Sequence, residues 1–482
     1  MKTRDLEAIG IPAGPCAEAA KRILQRAQTA KRSMSVVVAD LRHVAESPAA
    51  FLDGAPDSAP DSAPESAAYA ELARLLLDRV ATADAFTPRR DDAPYQIWGD
   101  NLEPTALEQM KNACRLPVAV SGALMPDAHQ GYGLPIGGVL ATRDAVIPYA
   151  VGVDIACRMK LTVLDMPVRQ LADRQARLSH ALEQQTRFGI GAAFESRHEH
   201  AVMDADWRVT ATTSQMKDRA WAQLGTSGSG NHFVEFGELT VLDDTVGLPH
   251  GEYLALLSHS GSRGAGAQVA QHYSRLAKSL HPELPRELSQ LAWLDLASEA
   301  GQEYWAAMEL MGRYAAANHE VIHASIAQAL GVEVLLDVEN HHNFAWRERH
   351  RLPDGTQGEV IVHRKGATPA GVGMLGVIPG SMGTPGYVVR GKGNAASLRS
   401  ASHGAGRRMS RTRAKETFKW DAVQRFLRQR NVTLLSAGLD EVPMAYKDIE
   451  AVMAAQQDLV ETLARFEPRI VKMAPSGEPP ED

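Results

Sequence analysis

Ser402-His403-Gly404-Ala405-Gly406-Arg407 sets a histidine among small residues and follows it with an arginine. An imidazole is largely neutral near pH 7, so a ring nitrogen can attack phosphorus where cations offset the charge of the phosphate. The chain also offers a carboxylate, a thiol and several imidazoles suited to a divalent metal. These are Asp154 and Cys157 in Val151-Gly152-Val153-Asp154-Ile155-Ala156-Cys157, His232 after Gly230-Asn231, His259 in Ser258-His259-Ser260-Gly261, and His342 in His341-His342-Asn343. A nucleophile with such ligands points to metal-dependent phosphoryl or nucleotidyl transfer. Ligand type alone allows zinc, manganese, iron or cobalt, and His403 is also admissible as a further ligand or a structural residue.

Each segment has a plain structural explanation too. A buried cysteine and a turn aspartate account for Asp154 and Cys157 taken alone, and a straight strand would put them on opposite faces, so convergence on one ion requires a bend after Asp154. The histidines are too far apart for a zinc knuckle or HExxH, so any site is assembled from distant segments. Each lies beside glycine, serine or asparagine, as in Gly225-Thr226-Ser227-Gly228-Ser229-Gly230-Asn231-His232. Such loops let backbone N–H groups approach an anion. No GxxxxGK[ST], GxSxG or strand-borne GxGxxG is present, which counts against P-loop, α/β-hydrolase and Rossmann readings.

The elements that must position these residues follow a change of texture near residue 100. Residues 17–32 and 68–83 read as helices, with Val36-Val37-Val38 and Phe51-Leu52 in a stretch between them. Ala55-Pro56-Asp57-Ser58 recurs as Ala59-Pro60-Asp61-Ser62 and Ala63-Pro64-Glu65-Ser66, a composition that cannot pack a core and reads as a linker over 54–67. From residue 99 to 473, short apolar stretches broken by glycine, such as Leu134–Thr142 and Glu359–His363, are strand signals. Helical patterns interrupt them at 167–187, 285–330 and 445–466. Without regular βαβ alternation the expectation is α+β, a catalytic domain at 99–473 preceded by a small helical region over 1–98, with a disordered acidic tail at 474–482.

A chain of 482 residues with a net charge of −7 is not generally basic, yet nine basic residues between Arg390 and Lys419 face the single acid Glu416 and bracket His403. A solvated surface explains such a run, and so does contact with phosphates. Three cysteines, Cys16, Cys114 and Cys157, with no paired framework fit a reducing compartment. With no apolar leader and no run long enough for a membrane span, a cytoplasmic protein with no membrane partner is expected.

Taken together, these segments resemble the RtcB family of RNA ligases between Gly99 and Lys472. The resemblance rests on Met125-Pro126-Asp127-Ala128-His129-Gln130-Gly131-Tyr132-Gly133, Val151–Cys157, Gly230-Asn231-His232-Phe233-Val234-Glu235 and His259-Ser260-Gly261-Ser262-Arg263-Gly264. It continues through His342-Asn343, His363-Arg364-Lys365-Gly366-Ala367-Thr368, Pro379-Gly380-Ser381-Met382-Gly383, His403–Arg407 and Ala445-Tyr446-Lys447-Asp448. The resemblance implies an RtcB-type fold of mixed and antiparallel sheets with surrounding helices. It implies GTP- and Mn2+-dependent joining of RNA 3′-phosphate or 2′,3′-cyclic phosphate ends to 5′-hydroxyl ends, in tRNA splicing or RNA repair, with an archease-like activator as a partner. Asp154, Cys157, His232, His259 and His342 would then hold two Mn2+ ions, the Cys157 thiolate bridging them. His403 would carry GMP, and Asp127 would hold its other ring nitrogen. Asn231, Glu235, Ser381, Gly404, Ala405, Gly406, Arg407, Tyr446 and Lys472 would surround the nucleotide, and Arg263, Lys365 and Arg411 would meet RNA phosphates.

Gly386 departs from the family, standing where relatives have a second serine near the nucleotide. Two competing readings share the motifs: an enzyme that opens cyclic phosphates or attaches GMP but seals poorly, and a non-catalytic RNA-binding relative. The second predicts loss of a ligand or of the nucleophile, and neither is lost.

Overall fold

The computed structural model describes residues 5–6, 8–12, 15–52, 56, 63–83 and 86–478. The chain forms two compact units, Met1–Thr87 with Lys278–Ser289, and Pro88–Ala277 with Gln290–Asp482.

The first unit carries helices Pro15–Thr29, Met34–Glu46 and Ala63–Ala83 around Ile23, Leu41, Tyr69 and Leu72, all fully buried. The valine run lies in the second helix. Val37, Leu41 and Val44 recur at helical spacing and are buried, which outweighs the β preference of branched side chains. Most of the proline-serine repeat lies outside the described residues, and its third copy opens the helix from Ala63. Of the acidic tail, residues 479–482 lie outside them as well.

The second unit is a mixed α+β body. Its strands run, in chain order, β1 (Tyr95–Ile97), β2 (Ala119–His129), β3 (Ile136–Thr142), β4 (Ala145–Val146), β5 (Arg158–Leu164) and β6 (Phe233–Val241). Next come β7 (Gly251–Ser260), β8 (Leu294–Asp295), β9 (Val334–His341), β10 (Asn343–Arg351), β11 (Gln357–Lys365) and β12 (Ala367–Pro369). The last are β13 (Leu375–Ile378), β14 (Gly386–Gly391), β15 (Ser400–Ser402), β16 (Thr433–Ser436) and β17 (Val460–Met473). One sheet has the order β1-β2-β3-β11-β10; the larger has β13-β14-β17-β6-β7-β5-β9, with β16 beside β17. Pairing in both is antiparallel except for β1 with β2 and β16 with β17.

The larger sheet nearly closes. Asn340 on β9 accepts from the Val377 amide of β13 at 2.7 Å and donates to Thr368 Oγ1 at 2.6 Å, so the two end strands are bridged by a side chain. Helix Glu299–Leu330 lies against β5 and β7 and starts where Ser298 Oγ accepts from the Gly301 amide at 3.1 Å. The helical pattern expected from residue 285 therefore begins fourteen residues late, and helix Arg263–Leu280, opened by Arg263-Gly264, was not expected at all.

The helix expected over 445–466 is corrected by the structure. Only Ile449–Ala454 is helical, and Val460 starts β17, paired with β14 and β6 along much of its length. Val460, Leu463 and Ala464 fall at helical spacing because the register shifts opposite Val388 and Val389, and over that short window the strand mimics a helical stripe. Pro468 sits at the register shift before Ile470, where a missing N–H removes little from the ladder.

Candidate active site

The larger sheet brings its ligand-bearing residues to one end by register. On β5 and β7, Met159 faces His259; on β6 and β7, Phe233 faces His259; on β5 and β9, Arg158 faces His341. Cys157, His232, His259 and His342 therefore arrive together from segments far apart in the chain. Asp154 reaches the same point because the chain turns: the Cys157 amide donates to the Asp154 carbonyl at 3.2 Å and Ala156 takes φ 58°. That is the bend the spacing required. Gly261 leaves the room, since a Cβ there would stand 2.1 Å from Asp154 Oδ2.

The donor atoms face one another. Cys157 Sγ lies 3.1 Å from His259 Nε2 and 3.4 Å from His232 Nε2, and His259 Nε2 lies 3.2 Å from His342 Nε2. Asp154 Oδ2 is 3.2 Å from His232 Nε2, while Oδ1 accepts from the Ser262 amide at 3.0 Å. Carbonyls on the far side set the tautomers: His232 Nδ1–H donates to Ser227 O at 2.8 Å and His259 Nδ1–H to Asn231 O at 3.1 Å. Both Nε2 lone pairs thus point at the thiol, an arrangement of acceptors that a cation would satisfy. Burial pushes His259 down to about 3, and burial beside the neighbouring imidazoles holds His342 well below the ordinary histidine range. Neutral rings are what a metal needs. Burial opposes ionisation of Asp154, but His232 beside it and the nearby Arg263 cation outweigh that and keep the carboxyl low. The donor set therefore fits a divalent metal.

His403 stands beside this cluster, its ring centroid 4.9 Å from that of His342. Asp127, wholly buried on β2, accepts from His403 Nδ1–H at 2.6 Å and from the His403 amide at 3.1 Å through the same oxygen. Nδ1 holds the proton, and the ring's lone pair is left on Nε2. Burial works against the Asp127 charge, yet the hydrogen bond from His403 and the nearby Lys447 cation take its pKa below the usual value. Gly406, at φ +71°, lets the loop pass close: a Cβ there would be 2.1 Å from the Asp127 carbonyl oxygen.

A cavity of about 590 Å³ opens over both groups. Asp154, Cys157, Asn231, His232, His259, His342, Lys365, Ser381, His403, Gly404, Ala405, Gly406, Arg407, Arg411 and Tyr446 line it. Four other expected residues do not. Asp127 lies behind His403. Arg263 is buried with Nη1 3.1 Å from His232 Nδ1. Glu235 is buried on β6, where burial pushes its carboxyl well above the usual range. Lys472 Nζ donates to the carbonyls of Leu182 at 3.2 Å and Glu183 at 3.3 Å, at the end of helix Gln175–Gln185. Gly386 begins β14, and a Cβ there would stand 3.3 Å from Pro379 Cα.

Glu441 was not anticipated. It accepts from Arg407 Nη1 and from Arg411 Nε at 2.9 Å each, and from the Tyr446 hydroxyl. The Arg407 guanidinium also lies 5.3 Å from the Tyr446 ring centre. No sequence pattern marks Glu441, which is one of two acids in a short turn, Leu439–Glu441. Lys447, likewise missed, ties the Pro126 and Ala128 carbonyls at 3.1 and 2.7 Å and so braces the strand bearing Asp127.

Comparison with known proteins agrees with this geometry. The family described as tRNA-splicing ligase RtcB matches residues 109–214 and 197–473. The RNA-splicing ligase RtcB of Escherichia coli strain K12 is 33% identical over 407 residues, covering 77% of this chain and 95% of that protein. The tRNA-splicing ligase RtcB of Nanoarchaeum equitans is 32% identical over 76% of this chain and 91% of its own length. That of Thermococcus kodakarensis is 31% identical over 79% and 93%. With a carboxylate-held histidine and metal-type donors gathered in one cavity and relatives matched over nearly their full length, the chain belongs to the RtcB family of RNA ligases.

Proposed function

We propose that the chain joins RNA 3′-phosphate or 2′,3′-cyclic phosphate ends to 5′-hydroxyl ends, using GTP and Mn2+, through a His403–GMP intermediate. The observation that carries this reading is the buried Asp127 carboxylate on His403 Nδ1, 2.6 Å away, beside a cluster of metal-type donors. Two Mn2+ ions held by Asp154, Cys157, His232, His259 and His342 would offset charge on the triphosphate.

His403 Nε2 attacks the α-phosphorus of GTP; an N–P bond forms, the bond to the bridging oxygen breaks, and pyrophosphate leaves. Asp127 stabilises the positive charge that appears on the ring. An oxygen of the RNA 3′-phosphate then takes GMP from His403, a cyclic end having first been opened by water. The 5′-hydroxyl attacks the activated phosphate, loses its proton and displaces GMP. Arg407 and Arg411 meet phosphate oxygens, Tyr446 stacks on guanine, and Glu235 gains guanine N–H partners for its buried carboxyl. Asn231, Ser381 and Lys472 complete the nucleotide surroundings, and Lys365 and Arg263 serve the RNA phosphates. Catalysis belongs to residues 99–473.

The test is incubation of the protein with Mn2+ and α-labelled GTP, followed by denaturing electrophoresis. Wild type is expected to carry label and His403→Ala none. Label persisting in His403→Ala would remove it as nucleophile.

A further inference from the structure

One wall of the cavity has no place in the reading above. It is formed by the loop after β2, Gln130-Gly131-Tyr132, and its outermost residue is an aromatic ring 66% exposed to solvent. A single exposed aromatic is ordinary on a protein surface. This one is on a loop held from three directions. Gln109 grips Gly131 twice, its Oε1 accepting from the amide at 3.0 Å and its Nε2 donating to the carbonyl at 2.6 Å. Glu103 Oε2 accepts from the Gln130 amide at 3.1 Å, and Lys365 Nζ donates to the Tyr132 carbonyl at 2.5 Å. The backbone is anchored by long side chains while the ring itself is left in water.

The loop is also tied to the reacting centre. Lys365 is followed by Gly366, where a Cβ would come within 3.2 Å of His403 Cε1, so the residue that pins Tyr132 is next to the one packed against the nucleophile. Tyr446, the other aromatic of interest in the cavity, is engaged by Arg407 and Glu441. An exposed, pre-positioned ring loses little freedom when a flat apolar face lies on it, and a nucleobase has such a face whatever its identity. A base at a strand end, free of a duplex neighbour, is the form in which RNA bases stack on aromatic side chains.

From this geometry we infer that Tyr132 is the stacking platform for a terminal nucleobase of an RNA end held in the cavity. The inference rests on the RNA-joining reading above for its substrate class. Tyr132 is a binding residue for RNA, recognising a base by its face, so the contact is indifferent to sequence. Lys365 sits where a phosphate of the same nucleotide would pass.

Affinity for a short single-stranded RNA with a 5′-hydroxyl and a 3′-phosphate, measured by fluorescence anisotropy with Mn2+ present, tests this. Tyr132→Ala is expected to weaken binding about 5- to 100-fold, and Tyr132→Phe to bind as wild type does. Two further RNAs, abasic at the 5′-terminal or at the 3′-terminal nucleotide, identify the end. The one whose base rests on Tyr132 binds wild type as weakly as intact RNA binds Tyr132→Ala, and loses nothing more in that variant. Equal affinity of Tyr132→Ala and wild type, or abasic penalties undiminished in Tyr132→Ala at both ends, overturns the inference. Label from GTP, in which no RNA takes part, reports separately on the His403 chemistry, so failure there leaves the anisotropy result to decide Tyr132.

Discussion

Asp127 decides which nitrogen of His403 carries the lone pair, because a carboxylate that accepts a hydrogen bond from Nδ1–H leaves that pair on Nε2. Replacing Asp127 by Asn keeps the shape but offers an amide that can support the opposite tautomer. Labelling by GTP should fall by about 10²- to 10⁴-fold in Asp127→Asn, measured as initial rates. The same carboxyl has its pKa lowered in the fold, so its contribution to stability is whole above its ordinary value of 3.8 and is lost as pH falls through the lower folded value. Denaturant unfolding of wild type and Asp127→Asn should therefore show a wild-type advantage at pH 6 that shrinks below pH 4. Cys157 makes the corresponding case for the metal cluster. Its Sγ is within 3.4 Å of two imidazole nitrogens, and Cys157→Ala should lower bound manganese, read by elemental analysis after dialysis, along with every labelled product.

At the scale of elements, strand pairing turns scattered histidines into a site. His259 ends β7 between β5 and β6, so a register slip on either side would separate it from Cys157 or His232. Asn340 holds the open ends of that sheet together through its amide group. Asn340→Ala leaves the Val377 amide without its partner and should cost about 1–3 kcal/mol of unfolding free energy. An equal unfolding midpoint in variant and wild type would show that the bridge is dispensable. Strands such as β3 and β11 were legible because glycine and β-branched residues mark them, and helix Glu299–Leu330 because its apolar stripe is long. β17 was not legible at its start: Val460, Leu463 and Ala464 stand at helical spacing across a register shift opposite Val388 and Val389, just after a short helix, and the alternation that marks the strand begins only at Ala464.

Across the whole molecule, the basic run that brackets His403 is less free than its composition suggests. Arg407 and Arg411 are paired with Glu441, Lys415 with Asp440 at 3.4 Å, and Arg390 with Glu461 at 2.7 Å. All nine cations of the run acting on single-stranded RNA would give a log–log salt slope of about −6. The pairs already formed predict a shallower slope, and one as steep as that would mean they open when RNA binds. Residue types and their local motifs were enough to single out the candidates, a histidine among small residues and a thiol with imidazoles of the kind a metal takes, and to carry the resemblance that named the family. Tertiary structure alone decided which nitrogen of each ring faces the thiol, that Glu441 pairs with two arginines, and that the backbone around Tyr132 is anchored while its ring stays exposed. Those facts depend on lone-pair direction and on contacts between segments hundreds of residues apart, and neither is written in the spacing of residues along a chain.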